Sequence, residues 1–176
     1  MKILVDANKF KSASVCKAVK DIRFYLNGVF LAPNGDAVGT DGHAMVITNG
    51  AFTATAGFDG AIVEMAAKIP VKCETIEFDT ETKIVRFLSN VQEQLALADF
   101  TVVDGRYPDY NRVVPKKIEK VESIGINAEL VGRAAKVFHA CKYPGVKFEF
   151  CGADGAVKLT HPEMPDTLMI VMPCRL

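Results

Sequence analysis

Val103-Asp104-Gly105-Arg106-Tyr107-Pro108-Asp109-Tyr110-Asn111-Arg112-Val113-Val114-Pro115 follows neither the period of a helix nor the alternation of a strand. Asp104-Gly105 marks a turn, and Pro108 and Pro115 fix φ and remove backbone donors. A loop this dense in charge, aromatic rings and proline presents side chains rather than merely connecting elements. It divides the chain, so its reading governs how the parts on either side are arranged.

Three segments outside it share a plan: a short strand, a capping residue, a helix, then strands. Ile3-Leu4-Val5 leads into Asp6-Ala7, Phe52-Thr53-Ala54-Thr55 into Asp59-Gly60, and Ser123-Ile124-Gly125-Ile126 into Asn127-Ala128. Asp and Asn suit the cap because their side-chain oxygens accept the unpaired N–H groups of a first helical turn. Helical spacing then predicts one apolar stripe per segment. The stripes are Val15, Ala18, Val19 and Ile22; Ile62, Met65, Ala66 and Ile69; and Leu130, Ala134, Val137, Phe138 and Cys141. Pro70 stops the second. Thr75–Phe78, Lys83–Phe87, Val146–Phe150 and Leu168–Met172 alternate or run apolar as strands do, with turn signals between them. The units are βαβββ-like and run roughly over residues 1–56, 57–104 and 121–176.

A half-covered antiparallel sheet needs a partner for its apolar face. Two such units can cover each other and a third cannot pair evenly, so a second copy of the chain is the expected source of its partner.

Lys plus Arg equals Asp plus Glu, at 21 each. The zero net charge argues against a strongly basic, sequence-reading nucleic-acid binder but leaves room for positive charge gathered on one face. No apolar run approaches the roughly 20 residues of a membrane helix. The apolar part of Met1–Asp6 is too short for a signal peptide, so a cytoplasmic protein is expected. Cys16, Cys73, Cys141, Cys151 and Cys174 form no C-x-x-C pair and read as buried reduced thiols, with no metal site.

Four motifs carry a family resemblance. Arg23-Phe24-Tyr25-Leu26-Asn27-Gly28-Val29 and Gly39-Thr40-Asp41-Gly42-His43-Ala44-Met45 come first, then the Asp104–Pro115 stretch, then the tail Val171-Met172-Pro173-Cys174-Arg175-Leu176. In this order the chain resembles the bacterial DNA polymerase III beta subunit, or replicative sliding clamp, family. The similarity covers roughly residues 18–115 as that family's middle domain and residues 123–176 as the last half of its final domain. The resemblance implies an α+β, DNA-clamp-like fold of three βαβββ half-domain repeats, with antiparallel sheets and helices on one face. Residues 1–104 form a clamp-like domain of two half-units, residues 105–120 a connector and residues 121–176 a single half-unit. The family's ring is built from twelve half-units, so four copies of this chain would make a tetrameric ring.

The resemblance also implies two binding sites. A hydrophobic pocket for short peptide motifs of DNA polymerases and clamp-loader-type proteins would use Leu26, Thr40, Gly42, His43, Ala44, Met45, Pro108, Arg112 and Val113. The tail residues Val171, Met172, Pro173, Cys174, Arg175 and Leu176 would complete it. Aliphatic side chains give a recess for apolar anchors, and a few polar groups orient the peptide. Ala44 and Cys174 stand where the family usually has arginine and methionine, so the peptide preference is expected to differ. Sequence-independent contact with duplex DNA would use Lys9, Lys17, Lys20, Arg133 and Lys136 from helix faces, with Arg23, Phe24 and Tyr25 beside them. No nucleotide or metal cofactor is implied.

Catalysis is not expected. Asp41 and His43 lie close in sequence, but nothing places a nucleophile beside them, and Gly152-Ala153-Asp154-Gly155 reads as a hairpin turn with no P-loop lysine. Two functions remain open. One is a sliding-clamp-like tether that encircles DNA. The other is a non-encircling module that captures clamp-interaction peptides as a decoy or recruiter.

Overall fold

Ile3 and Val5 are buried while Lys2, Leu4 and Asp6 face outward, the two-residue alternation from which this fold is built. The computed structural model describes residues 1–175. Twelve strands are present among them: β1 (Lys2–Asp6), β2 (Val29–Leu31), β3 (Ala37–Thr40), β4 (Ala44–Thr48), β5 (Ala61–Glu64), β6 (Thr75–Asp79), β7 (Ile84–Leu88), β8 (Gln94–Asp99), β9 (Thr101–Val103), β10 (Lys147–Glu149), β11 (Val157–Thr160) and β12 (Thr167–Val171). The helices are short: α1 (Ala7–Ser14), α2 (Ala128–Gly132) and α3 (Ala134–Val137).

All the strand pairs are antiparallel. One sheet runs β1-β6-β7-β8 and the other β10-β11-β12-β4-β3-β2-β5-β9. The first two units exchange leading strands: β1 joins β6 of the second unit, and β5 joins β2 of the first. β12 then pairs with β4 along its full length, from Thr167 opposite Thr48 to Val171 opposite Ala44. That pairing makes the first and third units one continuous sheet.

This sheet is covered on both faces, and that explains why β4 is buried at every position. Ala44, Val46, Met169 and Val171 pack under α2 and α3 with Leu130, Ala134, Val137 and Phe138. Met45, Ile47 and Ile170 face the other way, toward Leu26, Tyr107 and Tyr110. The Val103–Pro115 stretch is therefore the cover of the sheet's second face. A third cluster joins α1 to the smaller sheet, with Phe10 and Phe100 flanking Phe78 at 5.3 and 5.0 Å between ring centres.

The antiparallel α+β architecture and the first and third caps follow the sequence expectations. Asp6 accepts the Lys9 N–H at 2.9 Å, and Asn127 accepts the Glu129 N–H at 2.9 Å. Asp6→Ala removes the first cap and should lower stability by about 1 kcal/mol in urea unfolding.

Several element expectations are corrected. No helix forms over Ile62–Ile69; Ile62 and Val63 lie in β5, which pairs with β2 on one side and β9 on the other. β-branched neighbours buried on opposite faces favour a strand over a helix. The first helix stops at Ser14, where the serine Oγ donates to the Lys11 carbonyl, so Val19 and Ile22 are exposed instead of forming a stripe. The chain there turns back on itself: Asn27 accepts from Asp21 N–H at 2.9 Å and donates to the Asp21 carbonyl at 3.1 Å. The third helix is broken into α2 and α3, though its predicted stripe is buried from Leu130 to Phe138. Phe52 makes a single bridge to Val5, and residues 123–126 form no strand.

Candidate functional site: an apolar cavity where the chain's distant parts meet

The loop between β3 and β4 is held by its own side chains. Thr40 Oγ1 donates to the Ala44 carbonyl at 2.8 Å and accepts the Gly42 N–H at 3.0 Å. Asp41 Oδ1 accepts from the N–H groups of His43 and Ala44 at 2.8 and 2.9 Å. Gly42 sits at φ 89, in the left-handed region, and a Cβ there would lie 2.9 Å from an Arg23 guanidinium nitrogen. Only glycine suits both the turn and that approach.

Arg133, at the end of α2, reaches this loop from the third unit. Its Nη1 donates to Asp41 Oδ2 at 2.5 Å, and both side chains are largely shielded, at 32% and 17% exposure. Burial opposes ionisation of Asp41, but the Ala44 N–H and the Arg133 guanidinium outweigh it and hold the carboxyl below its ordinary value. Beyond Val171 the backbone continues the β12–β4 pairing, with the Met172 N–H donating to the His43 carbonyl at 2.9 Å. The tail therefore reaches the loop.

The connector forms the opposite wall. Tyr107 stacks on Phe30 at 4.7 Å between ring centres and 12° between planes, and its hydroxyl donates to the Val38 carbonyl at 3.3 Å. The Tyr110 hydroxyl donates to Asp36 Oδ2 at 3.1 Å. Burial pushes the Tyr107 phenol well above its usual range, so it stays a neutral donor.

Between these walls lies a cavity of about 190 Å³. Its floor is Leu26, Met45 and Ile170, and its sides are Tyr107, Pro108, Tyr110, Val113 and Met172. Thr40, Gly42, His43 and Ala44 form the loop edge, with Arg23 and Tyr25 facing them. An apolar recess with a few polar groups at its rim suits aliphatic or aromatic anchors of a short peptide.

The structure brings together Leu26, Thr40, Gly42, His43, Ala44, Met45, Pro108, Val113 and Met172 of the expected pocket residues. Arg112 stays outside, 86% exposed and paired with Asp109. Val171 points to the helix side of the sheet, because strand alternation puts it opposite Ile170 and Met172. Pro173, Cys174 and Arg175 run past the cavity, with the Cys174 N–H donating to the Gly125 carbonyl at 2.8 Å. Leu176 lies outside the described residues. Sequence reasoning missed Ile170, Tyr107 and Tyr110 as lining residues. The three-residue spacing of the tyrosines around Pro108 was the available signal.

The residues expected to touch DNA are scattered. Lys9 Nζ donates to the Asn49 carbonyl at 2.8 Å and pairs with Asp166 at 3.1 Å, and Lys17 Nζ donates to the Asn27 carbonyl at 3.2 Å. Arg23 pairs with Asp21 at 2.7 Å and holds that carboxyl down at about 2. Tyr25 and Arg23 face the cavity, Phe24 is half-exposed, and Lys20 and Lys136 are exposed.

The cysteines divide. Cys16 and Cys73 are buried, Cys141 and Cys151 half-buried and Cys174 exposed. Burial pushes the Cys16 thiol up to about 11, which keeps it protonated. Cys141, His161 and Glu163 cluster closely enough to suggest a metal site. However, His161 Nδ1 accepts the Glu163 N–H at 3.1 Å, and Nε2 donates to the Tyr143 carbonyl at 2.8 Å. Both ring nitrogens are used, so the histidine acts as a structural pin.

No family profile matches the chain. It is 27% identical over 173 residues to the beta sliding clamp of Escherichia coli K12, covering 94% of this chain and 46% of that protein. Its identity to the beta sliding clamp of Vibrio cholerae is 28% over 176 residues, covering 93% and 45%. The chain thus spans about half the length of these relatives. Its fold matches the crystal structure of the C. crescentus beta sliding clamp with a TM-score of 0.68 at 19% identity, over 99% of this chain and 65% of that one. The DNA polymerase sliding clamp of Pseudomonas aeruginosa gives 0.66 at 16% identity, over 100% and 66%. In sequence the chain is thus similar to beta sliding clamps, and its fold is that of the DNA polymerase sliding-clamp structures.

Proposed function

We propose that the chain is a non-enzymatic, sliding-clamp-like tether of DNA replication. It holds DNA polymerase and clamp-loader-type partners through short peptides seated in the cavity, and as a cytoplasmic homo-oligomeric ring it encircles duplex DNA without reading sequence. Residues 1–104 act as the clamp-like domain, 105–120 as connector and 121–176 as the single half-unit. The observation that carries this reading is the convergence of the 40–45 loop, the connector and Met172 on one apolar recess. Tethering raises the partner's effective concentration on its template, which needs binding and topology but no chemical step. No helix among the described residues is long and apolar enough to cross a membrane.

A second reading, the non-encircling peptide-capturing module, has one observation in its favour. Lys9, Lys17, Arg23 and Arg133 are engaged inside the chain, which reduces the charge offered to phosphates. DNA binding that weakens steeply with salt supports the ring; peptide binding without DNA binding supports the module.

The cavity is tested by fluorescence polarisation with a labelled clamp-binding peptide of a DNA polymerase. Met172→Glu places a charge in the recess and should weaken binding at least ~10-fold, about 1.4 kcal/mol. Equal affinity in both proteins would overturn the assignment.

A further inference from the structure

Two arginines grip Asp41 from opposite faces of the larger sheet. On the cavity side, Arg23 Nη2 donates to the Asp41 carbonyl at 3.0 Å. On the helix side, Arg133 Nη1 donates to Asp41 Oδ2. Arg133 stands at the junction of α2 and α3, closing one helix and opening the other, so the seat of both helices fixes its place. That seat is a packed one: Leu130, Ala134 and Val137 are buried against the sheet, and the buried Cys16 thiol lies beside the same guanidinium.

The other oxygen of Asp41 serves the cavity. Oδ1 accepts the N–H groups of His43 and Ala44, whose backbone makes the loop edge. The His43 carbonyl in turn accepts the Met172 N–H at 2.9 Å, and Met172 is a cavity wall. A continuous set of polar contacts therefore runs from Arg133 through Asp41 and His43 to Met172, although Arg133 itself lies outside the cavity. The Asp41 side chain is 17% exposed. A carboxylate that shielded is stable while a cation faces it; without one it gains by turning toward water. Turning would release both N–H groups and with them the shape of the loop edge.

We propose that Arg133 is a positioning residue for peptide capture. Through Asp41 it sets the backbone of residues 42–44 and the seat of Met172, so peptide affinity depends on how α2 and α3 dock on the far face of the sheet. The third unit then serves the cavity twice. It supplies Ile170 and Met172 directly, and it fixes the loop edge from behind. A binding site keeps its geometry when the groups that touch the ligand are themselves locked by a surrounding layer of hydrogen bonds. The contact is made through one guanidinium nitrogen and asks for a cation more than for a planar fork, so lysine should serve in its place. The proposal rests on the cavity reading for its ligand and not for the contacts that hold the loop.

Fluorescence polarisation with the labelled polymerase peptide, on full chains at a temperature where each is folded, reads the effect. Arg133→Met should weaken binding by ~5-fold or more, within the range of measured coupling between sites, and Arg133→Lys should restore it. Asp166→Ala is the control. It breaks the Lys9 pair that ties the same first and third units together at the opposite end of the β12–β4 pairing, and it should leave affinity unchanged. Hydrogen exchange reads the positioning without ligand: the His43, Ala44 and Met172 N–H groups should exchange faster in Arg133→Met. Reciprocity gives a readout on the wild type alone. The Lys136 and Val137 N–H groups, which donate to the Arg133 carbonyl at 2.9 and 3.0 Å, should exchange more slowly with peptide bound. Equal peptide affinity of wild type and Arg133→Met overturns the proposal. So does unchanged exchange at His43 and Ala44, no recovery in Arg133→Lys, or an equal loss in Asp166→Ala. A wild type that binds no peptide refutes the cavity reading instead, and exchange at His43 and Ala44 then decides the positioning by itself.

Discussion

Tyr107→Ala should lower unfolding stability by about 3–5 kcal/mol, as removal of a large buried aromatic does, and abolish peptide capture. Tyr107 is 7% exposed, so nearly all of its ring area is withdrawn from water. It serves both the fold and the site. The ring covers the sheet's second face beside Ile62 and Met45, stacks on Phe30, and forms one side of the cavity. Truncation leaves a void between connector and sheet and frees the Asp104–Pro115 segment from one of its two tyrosine anchors. Tyr107→Phe separates the contributions. It keeps the stack and loses only the hydroxyl's bond to the Val38 carbonyl, at a cost of about 1 kcal/mol, and it should still bind peptide. Urea unfolding and fluorescence polarisation measure the two effects; near-native stability of Tyr107→Ala would mean that the connector does not cover the sheet.

Arg133→Met should cost about 2 kcal/mol, somewhat below the roughly 3–5 kcal/mol for breaking a fully buried ion pair, because Arg133 keeps part of its exposure. The loss comes from Asp41, which would remain shielded with one oxygen bound to the loop's N–H groups and the other facing no cation. Asp41→Asn combined with Arg133→Met should cost less than the sum of the single changes, since the pair acts as one unit. The pH dependence has a definite sign. Asp41's carboxyl is held below its ordinary value in the folded chain, so its contribution is present above the unfolded pKa of about 3.9 and is lost as pH falls through the folded value. Arg133→Met should flatten that acid limb. Unchanged acid unfolding would show that the ion pair does not join the third unit to the loop.

The strands and caps were legible because they depend on local patterns. Ile3 and Val5, Ile76 and Phe78, and Val85 and Phe87 alternate, and Asp6 and Asn127 precede apolar stripes. Ile62-Val63 misled because a short run of β-branched and other apolar residues satisfies helical spacing as well as strand burial. Its choice of strand came from β2 and β9, which lie far from it in sequence. Nine of the residues that line the cavity were legible through their motifs, whereas Tyr107, Tyr110 and Ile170 were not, and Arg112 and most of the tail lie outside it. Met172 lies within it while Val171 and the residues after Pro173 do not, because a strand alternates its faces and the chain then turns toward Gly125.

The basic residues show a limit of another kind. Lys9 reads as surface charge because it sits opposite an apolar stripe, and Arg133 because it shares a helix face with Lys136. Their carboxylate partners, Asp166 and Asp41, are 157 and 92 residues away. Periodicity locates a side chain on a face but does not say which distant group the fold brings to it.

The amino-acid sequence by itself determined the antiparallel α+β class, most of the strands, the first and third helix caps and the motifs that meet at the cavity, since each is encoded by neighbours within a few residues. Only the tertiary structure decided that β12 pairs with β4 and so carries Met172 to His43, that Tyr107 and Tyr110 close the Val103–Pro115 stretch over the sheet, and that β10 ends without a partner. Those contacts join residues far apart along the chain, and their energies depend on which surfaces are buried together.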